Sequence, residues 1–171
     1  MTSTAAVRFV MGGRIVEVRD FDPHLTVLEW LRTRAGRPGS KEGCSEGDCG
    51  ACTVVLGQLD HGAIAYRAVN ACIQLLATLD GQQLITVEDL ENPAGDLHPV
   101  QQAMVDRHGS QCGFCTPGFV MSLFALCHQP RTTDQAGAER SRNHEALEGN
   151  LCSCNSYATI VRADSQALNG S

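Results

Sequence analysis

The chain has 171 residues, room for one ordinary domain or two small ones, and an apolar fraction of 43% that permits a packed core. Its net charge of −6 excludes the basic surface that nucleic-acid binding needs. No apolar run approaches the roughly 18 residues of a membrane span.

The opening MTSTAAVRFVMGGRIVEV lacks the basic start, apolar centre and small-residue cleavage site of a secretion signal, so a cytoplasmic location is expected. Residues 6–11 (AVRFVM) and 14–19 (RIVEVR) read as strands, and Gly12-Gly13 suits a two-residue primed turn between them. From Thr26 to Arg34, Val27, Leu28, Trp30 and Leu31 recur at helical spacing, with Gly36 as the stop. A glycine-rich cysteine loop follows. Residues 53–59 and 63–69 predict a second hairpin around His61-Gly62, and QLITVEDL (83–90) a further short strand. The turn-rich ENPAGDLHP (91–99) marks a junction, dividing the chain into an α+β unit, residues 1–90, and a second unit, residues 91–171. Beyond it the strand signals stop. Leu97, Val100, Met104 and Val105 form one helical stripe, and Phe119, Val120, Leu123, Phe124 and Leu126 another. Residues 143–151 and 156–168 complete four helical stretches, for which a four-helix unit is the economical reading. The polar run 130–142 reads as an exposed loop.

In a reducing cytosol the nine cysteines are expected to be metal ligands or catalytic groups rather than disulfides. Cys44, Cys49 and Cys52 have the spacing C-x4-C-x2-C, and Cys72 follows after 19 residues. This is the plant-type ferredoxin spacing for a [2Fe-2S] cluster. A cluster with four thiolate ligands is an anion, so the backbone must curl closely around it with N–H groups inward. Gly43, Gly47 and Gly50 allow that approach. Structural zinc usually takes paired ligands, and only Cys49 and Cys52 form such a pair. A Rieske centre needs two histidines. None of His24, His61, His98, His108, His128 and His144 lies within two residues of this set, and all six read as surface or packing residues.

Cys112 and Cys115 form C-x2-C, and Cys152 and Cys154 form C-x-C. On spacing alone these two pairs could hold zinc as well as a second cluster. The flanks favour an anion: Thr116-Pro117 follows Cys115 and Asn155-Ser156 follows Cys154, so both pairs are predicted at helix starts. Helix starts present unpaired N–H groups and a positive dipole end. Cys127, inside the second apolar stripe, reads as an inert buried thiol.

GCSEGDCGACTVVL, LHPVQQAMVDRHGSQCGFCTPGFVMSL and GNLC-x-C together resemble the iron–sulfur portion of the molybdenum hydroxylases over residues 6–165. The Glu46-Gly47-Asp48 form of the first loop is most similar to that of xanthine dehydrogenases, bacterial ones included. The resemblance implies a β-grasp ferredoxin-like domain followed by an all-α four-helix-bundle domain, each with one [2Fe-2S] cluster. It implies electrons that leave a molybdopterin centre on a large partner subunit. They would pass through the cluster of Cys112, Cys115, Cys152 and Cys154, then that of Cys44, Cys49, Cys52 and Cys72, to FAD on another chain or domain. Cys154 would lie closest to the pterin, and Gln111 would either reach toward the molybdenum cofactor or cap a helix turn. The chain itself would make no bonds; it would hold two one-electron carriers in line.

The sequence departs from the family's C-R-C-T-G-Y-x-P-I. Residues 152–160 read CSCNSYATI, keeping both cysteines but lacking the arginine, glycine and proline. No glycine-rich flavin-binding stretch precedes Ser171, so FAD is expected elsewhere or lost. The rivals are a free-standing ferredoxin-like carrier or redox sensor, with polar surface around both cysteine sets, and a degenerate subunit with only the first cluster. The subunit reading instead predicts an apolar, contact-ready surface near Gln111 and Cys154.

Overall fold

Alternating residues with two glycines between them close the first hairpin: β1 (Val7–Met11) pairs antiparallel with β2 (Arg14–Val18), Val7 opposite Val18. Gly12 and Gly13 both have positive φ, as a primed turn requires. The computed structural model describes residues 6–129, 144–154 and 160. The second hairpin joins β3 (Thr53–Asp60) to β4 (Ala63–Asn70) through His61 and Gly62, again at positive φ. A three-residue β5 (Gln83–Ile85) lies between the hairpins, parallel to β1 and antiparallel to β3. The sheet order is β2-β1-β5-β3-β4.

Both faces of β3 are buried. Val54 and Leu56 face one cluster with Phe9, Leu84 and α1 (Val27–Thr33), in which Trp30 meets Phe9 edge to face at 5.4 Å. Thr26 caps this helix by accepting from Glu29 N at 3.2 Å. Val55 and Ile85 point the other way, into a cluster with α2 (Pro99–Asp106) and α3 (Thr116–Cys127). The chain is thus an α+β fold in which helices cover both faces of a five-stranded sheet.

The expected strand over 83–90 ends at Ile85. Thr86 N donates to Asp89 Oδ2 at 2.8 Å, and this capping box bends Val87–Asp89 into a 3-10 turn. Arg37 pins the turn from across the fold, 2.5 Å from Asp89 Oδ1 and 2.9 Å from Thr86 Oγ1. A further 3-10 turn, Leu76–Leu79, carries no signal in the sequence pattern. Of the four expected helical stretches, α2 and α3 form as predicted, and 144–147 make a helical turn within the third. The fourth, 156–168, lies outside the described residues except for Ile160, which is buried against α3's cluster, and the 130–142 loop also lies outside them. Among the described residues no helix is long and apolar enough to cross a membrane.

α3 runs very close to the first cysteine loop. A Cβ on Gly118 would lie 2.1 Å from Gly50 O, a backbone atom that cannot swing away. Gly118→Ala is expected to destabilise the protein by about 1–3 kcal/mol, lowering Tm by about 2–4 °C per kcal/mol. Gly149→Ala, which would meet nothing within 4 Å, is the control and leaves Tm unchanged in the same calorimetric series.

His98 caps α2. Its Nδ1 accepts from Val100 N at 3.3 Å, and its own N–H donates to Gln101 Oε1 at 3.0 Å. The ring packs on Phe124, which His128 also contacts. Burial, and then the charge of nearby His128, hold the His98 pKa below its ordinary value. The unfolded state therefore binds the proton more readily. The stability this site contributes is complete above the unfolded value of about 6.5 and is lost as pH falls through it. Thermal unfolding is expected to show a lower Tm at pH 5.5 than at pH 7.5. His98→Asn, which keeps a capping oxygen, flattens that difference.

Candidate metal centres

The first cysteine loop is held from three sides. Val27 N donates to Gln74 O at 2.8 Å and Leu28 N to Ala71 O at 3.0 Å, so the start of α1 clamps the turn carrying Cys72. Ala71 N donates to Cys52 O at 3.3 Å, tying that turn to the loop's last cysteine. Asn70 Nδ2 donates to Gly47 O at 2.6 Å and fixes the middle of the loop.

Within the loop the backbone turns its donors toward sulfur. Asp48 N and Cys49 N each lie 3.4 Å from Cys44 Sγ. The Cys44 thiol is drawn down to about 6, first by the backbone N–H of Glu46 and then by those of Cys49 and Asp48. A thiolate is the form that binds metal. Cys52 shows the opposite effect: it is 2% exposed, and burial above all pushes it up to about 12, with the Cys72 and Cys49 sulfurs adding to the shift. Cys44 thus feels the Cys49 side chain, and Cys52 those of Cys72 and Cys49. Gly47 and Gly50 have positive φ, as expected, whereas Gly43 does not. Gly43 serves by close approach instead, since a Cβ there would lie 2.8 Å from Cys49 Sγ.

The second set comes together from two segments. The sulfurs of Cys115, Cys152 and Cys154 all lie within 4.8 Å of one another, and Cys112 Sγ is 3.2 Å from Cys154 Sγ. Burial first, then the neighbouring Cys152 and Cys154 sulfurs, push the Cys115 thiol up to about 12. Metal binding at Cys52 or Cys115 would remove protons that burial and neighbouring sulfur otherwise hold there.

The cap of α3 differs from expectation. Cys115 itself is the N-cap: its carbonyl accepts the first helical bond, from Phe119 N at 3.3 Å, although its own φ of −80° and ψ of −18° are unusual for a cap in being helical. Thr116 is therefore inside the helix, its hydroxyl 2.8 Å from that of Ser110. Asn155 and Ser156, the caps expected after Cys154, lie outside the described residues. Gln111 and Cys112 are exposed, and Cys127 is partly buried at the end of α3. All nine cysteines are described, and none is in a disulfide.

Sequence reasoning passed over Asn150. Its side chain is 3% exposed and bonded to the first loop, and Leu151 N donates to Cys49 O at 2.9 Å. The two sets are therefore joined by a main-chain hydrogen bond. Only the placement of GN directly before a cysteine pair hints at this in the sequence.

Sulfurs this close suit one zinc ion or a [2Fe-2S] cluster alike. Comparison with known proteins separates them. Residues 86–164 match the [2Fe-2S] binding domain family. The chain is 44% identical over 162 residues to xanthine dehydrogenase of Blastobotrys adeninivorans, covering 94% of this chain and 11% of that protein. It is 45% identical over 166 residues to xanthine dehydrogenase of Oryza sativa subsp. japonica, covering 94% of this chain and 12% of that protein. It thus spans only about a ninth of these relatives. The crystal structure of quinoline 2-oxidoreductase from Pseudomonas putida 86 superposes with a TM-score of 0.76 at 28% identity, over 98% of this chain and 96% of that chain. Aldehyde oxidoreductase from Desulfovibrio desulfuricans superposes with a TM-score of 0.78 at 29% identity, over 95% of this chain and 17% of that one. With clustered cysteines, a [2Fe-2S] binding domain match over residues 86–164 and these relatives, the chain is similar over nearly its whole length to the iron–sulfur part of molybdenum hydroxylases, and the likeness supports an iron–sulfur electron-transfer role.

Proposed function

We propose that the chain is the iron–sulfur subunit, or iron–sulfur segment, of a xanthine dehydrogenase-like molybdenum hydroxylase and holds two [2Fe-2S] clusters. Cys44, Cys49, Cys52 and Cys72 would hold one, in a β-grasp ferredoxin-like domain over residues 1–90. Cys112, Cys115, Cys152 and Cys154 would hold the other, in a helical domain over 91–171. Each cluster would supply a site that accepts and passes on one electron at a time. The carrying observation is the convergence of Cys115, Cys152 and Cys154, with Cys112 against Cys154, across the Cys49–Leu151 hydrogen bond from the first loop, where Cys44 acts on Cys49 and Cys52 on Cys72.

The chain's own residues do the rest. The Glu46, Asp48 and Cys49 backbone N–H groups favour negative charge at Cys44 Sγ. The burial of Cys52 and Cys72 keeps water from one side of the first site. Around the second site, Phe114 is 47% exposed and Leu151 52% exposed, apolar surface of the kind a partner chain covers. A groove of about 360 Å³ beside Gly113 and Thr116, lined by Leu97, Met104, Val105 and Val120, extends it. These features favour the subunit reading over a free-standing carrier. They support a large molybdopterin-binding partner at the Gln111 and Cys154 face. The exposed Glu46 and Asp48 rim of the first loop would then face a FAD-binding subunit or domain. The work would be cytoplasmic, away from membranes and nucleic acid.

The test is isolation of the native complex with cofactor analysis. About four irons and four sulfides per chain are expected, with molybdopterin and flavin in the partners and a rhombic paramagnetic signal after dithionite. About two of each would support a subunit with only one cluster. A complex without molybdopterin or flavin would overturn the assignment.

A further inference from the structure

We propose that Asn150 is a positioning residue: its buried carboxamide locks the two cysteine sets into one fixed mutual arrangement. The proposal rests on the two-cluster reading for its purpose, but its geometry stands on the chain alone.

Three buried polar side chains meet at this point: Asn150 at 3% exposure, Thr53 at 4% and Ser122 at 5%. Asn150 Oδ1 accepts from Ser122 Oγ on α3 at 2.6 Å. Asn150 Nδ2 donates to Gly50 O at 3.1 Å and faces Thr53 Oγ1 at 3.4 Å. Gly50 O is the hub, since it also accepts from Thr53 N at 3.1 Å and Thr53 Oγ1 at 2.7 Å. Gly50 lies between Cys49 and Cys52, and Asn150 two residues before Cys152. One amide therefore ties the first loop, the start of β3, α3 and the second cysteine segment.

The space is built for this contact. A Cβ on Gly50 would lie 2.3 Å from Gly149 O and 2.5 Å from Asn150 Nδ2. The next N–H along, that of Leu151, reaches Cys49 O at 2.9 Å, so the amide and the backbone form adjacent bonds to the same turn. The position needs a donor on one side and an acceptor on the other within a short side chain. Aspartate lacks the donor, leucine lacks both, and glutamine is one methylene too long. Transfer between fixed carriers depends steeply on their separation, and this junction sets it.

The experiment uses the native complex with Asn150→Asp, which keeps the acceptor for Ser122 and removes the donors to Gly50, and with Ser122→Ala, which removes only the outer donor. Two readouts apply: amide hydrogen exchange at Leu151 and Thr53, and the magnetic interaction between the two reduced clusters by low-temperature paramagnetic resonance. N150D is expected to speed exchange at both amides together by about tenfold or more and to alter the magnetic interaction at unchanged iron content. S122A is expected to give a smaller change in the same direction. A loss of Tm in N150D with exchange at Leu151 and the magnetic interaction both unchanged would reduce Asn150 to ordinary packing and overturn the proposal. Should N150D fail to accumulate, unchanged exchange at Leu151 in S122A overturns it. Wild-type protein with about two irons per chain removes the two-cluster reading, while the exchange comparison still decides the role of Asn150.

Discussion

The carbonyl of Gly50 is the point on which the rest of the molecule depends. It accepts three hydrogen bonds, two from Thr53 and one from Asn150, inside a region from which water is excluded. A buried acceptor left without partners costs about 1–3 kcal/mol, so every element that supplies one is pinned. α3 can come so close only because Gly118 lacks a side chain. The result is a junction where a loop, a strand and a distant segment meet at a single backbone atom, with α3 packed against it at Gly118 and joined to it through Ser122 and Asn150.

That junction explains how a small α+β fold can place two cysteine sets together. The sheet faces two apolar clusters, one with α1 and one with α2 and α3, and β3 contributes to both through its alternating residues. The first set sits at the start of β3 and just past β4, beside the α1 cluster, where Cys52 and Cys72 are core residues as well as thiols. The second sits at the start of α3, with Cys115 and Cys152 packed against the other cluster. A shift of either helix against the sheet would move a cysteine set, so hydrophobic packing and cofactor geometry are one constraint.

The thiols differ in electrostatic character even within one set. Backbone donors around Cys44 favour negative charge, whereas Cys52 and Cys115 are held protonated by burial and by neighbouring sulfur. Four thiolates cannot coexist in so little space without cations between them. Filling a site would therefore release protons. The first set is rimmed by exposed acidic residues, the second by exposed Phe114 and Leu151.

Local chemistry alone determined the hairpins, α1, the two helical stripes and the cysteine groupings. Each rests on contacts close in the chain: Gly12-Gly13 for a turn, Thr26 for a cap, C-x4-C-x2-C for a loop. The family resemblance, carried by the same cysteine loops, was legible for the same reason. The strand expected to continue past Ile85 is ended by the Thr86–Asp89 capping box, which Arg37, more than forty residues earlier in the chain, holds in place through Asp89. The cap expected at Thr116 falls one residue earlier, at Cys115, whose carbonyl accepts the first helical bond while its sulfur meets Cys152 and Cys154. Asn150 reads as one polar residue among many until folding sets it against Gly50, a hundred positions away. Spacing along a chain encodes turns, caps and ligand sets; which buried donor faces which buried acceptor is decided only when distant segments pack and water is driven out.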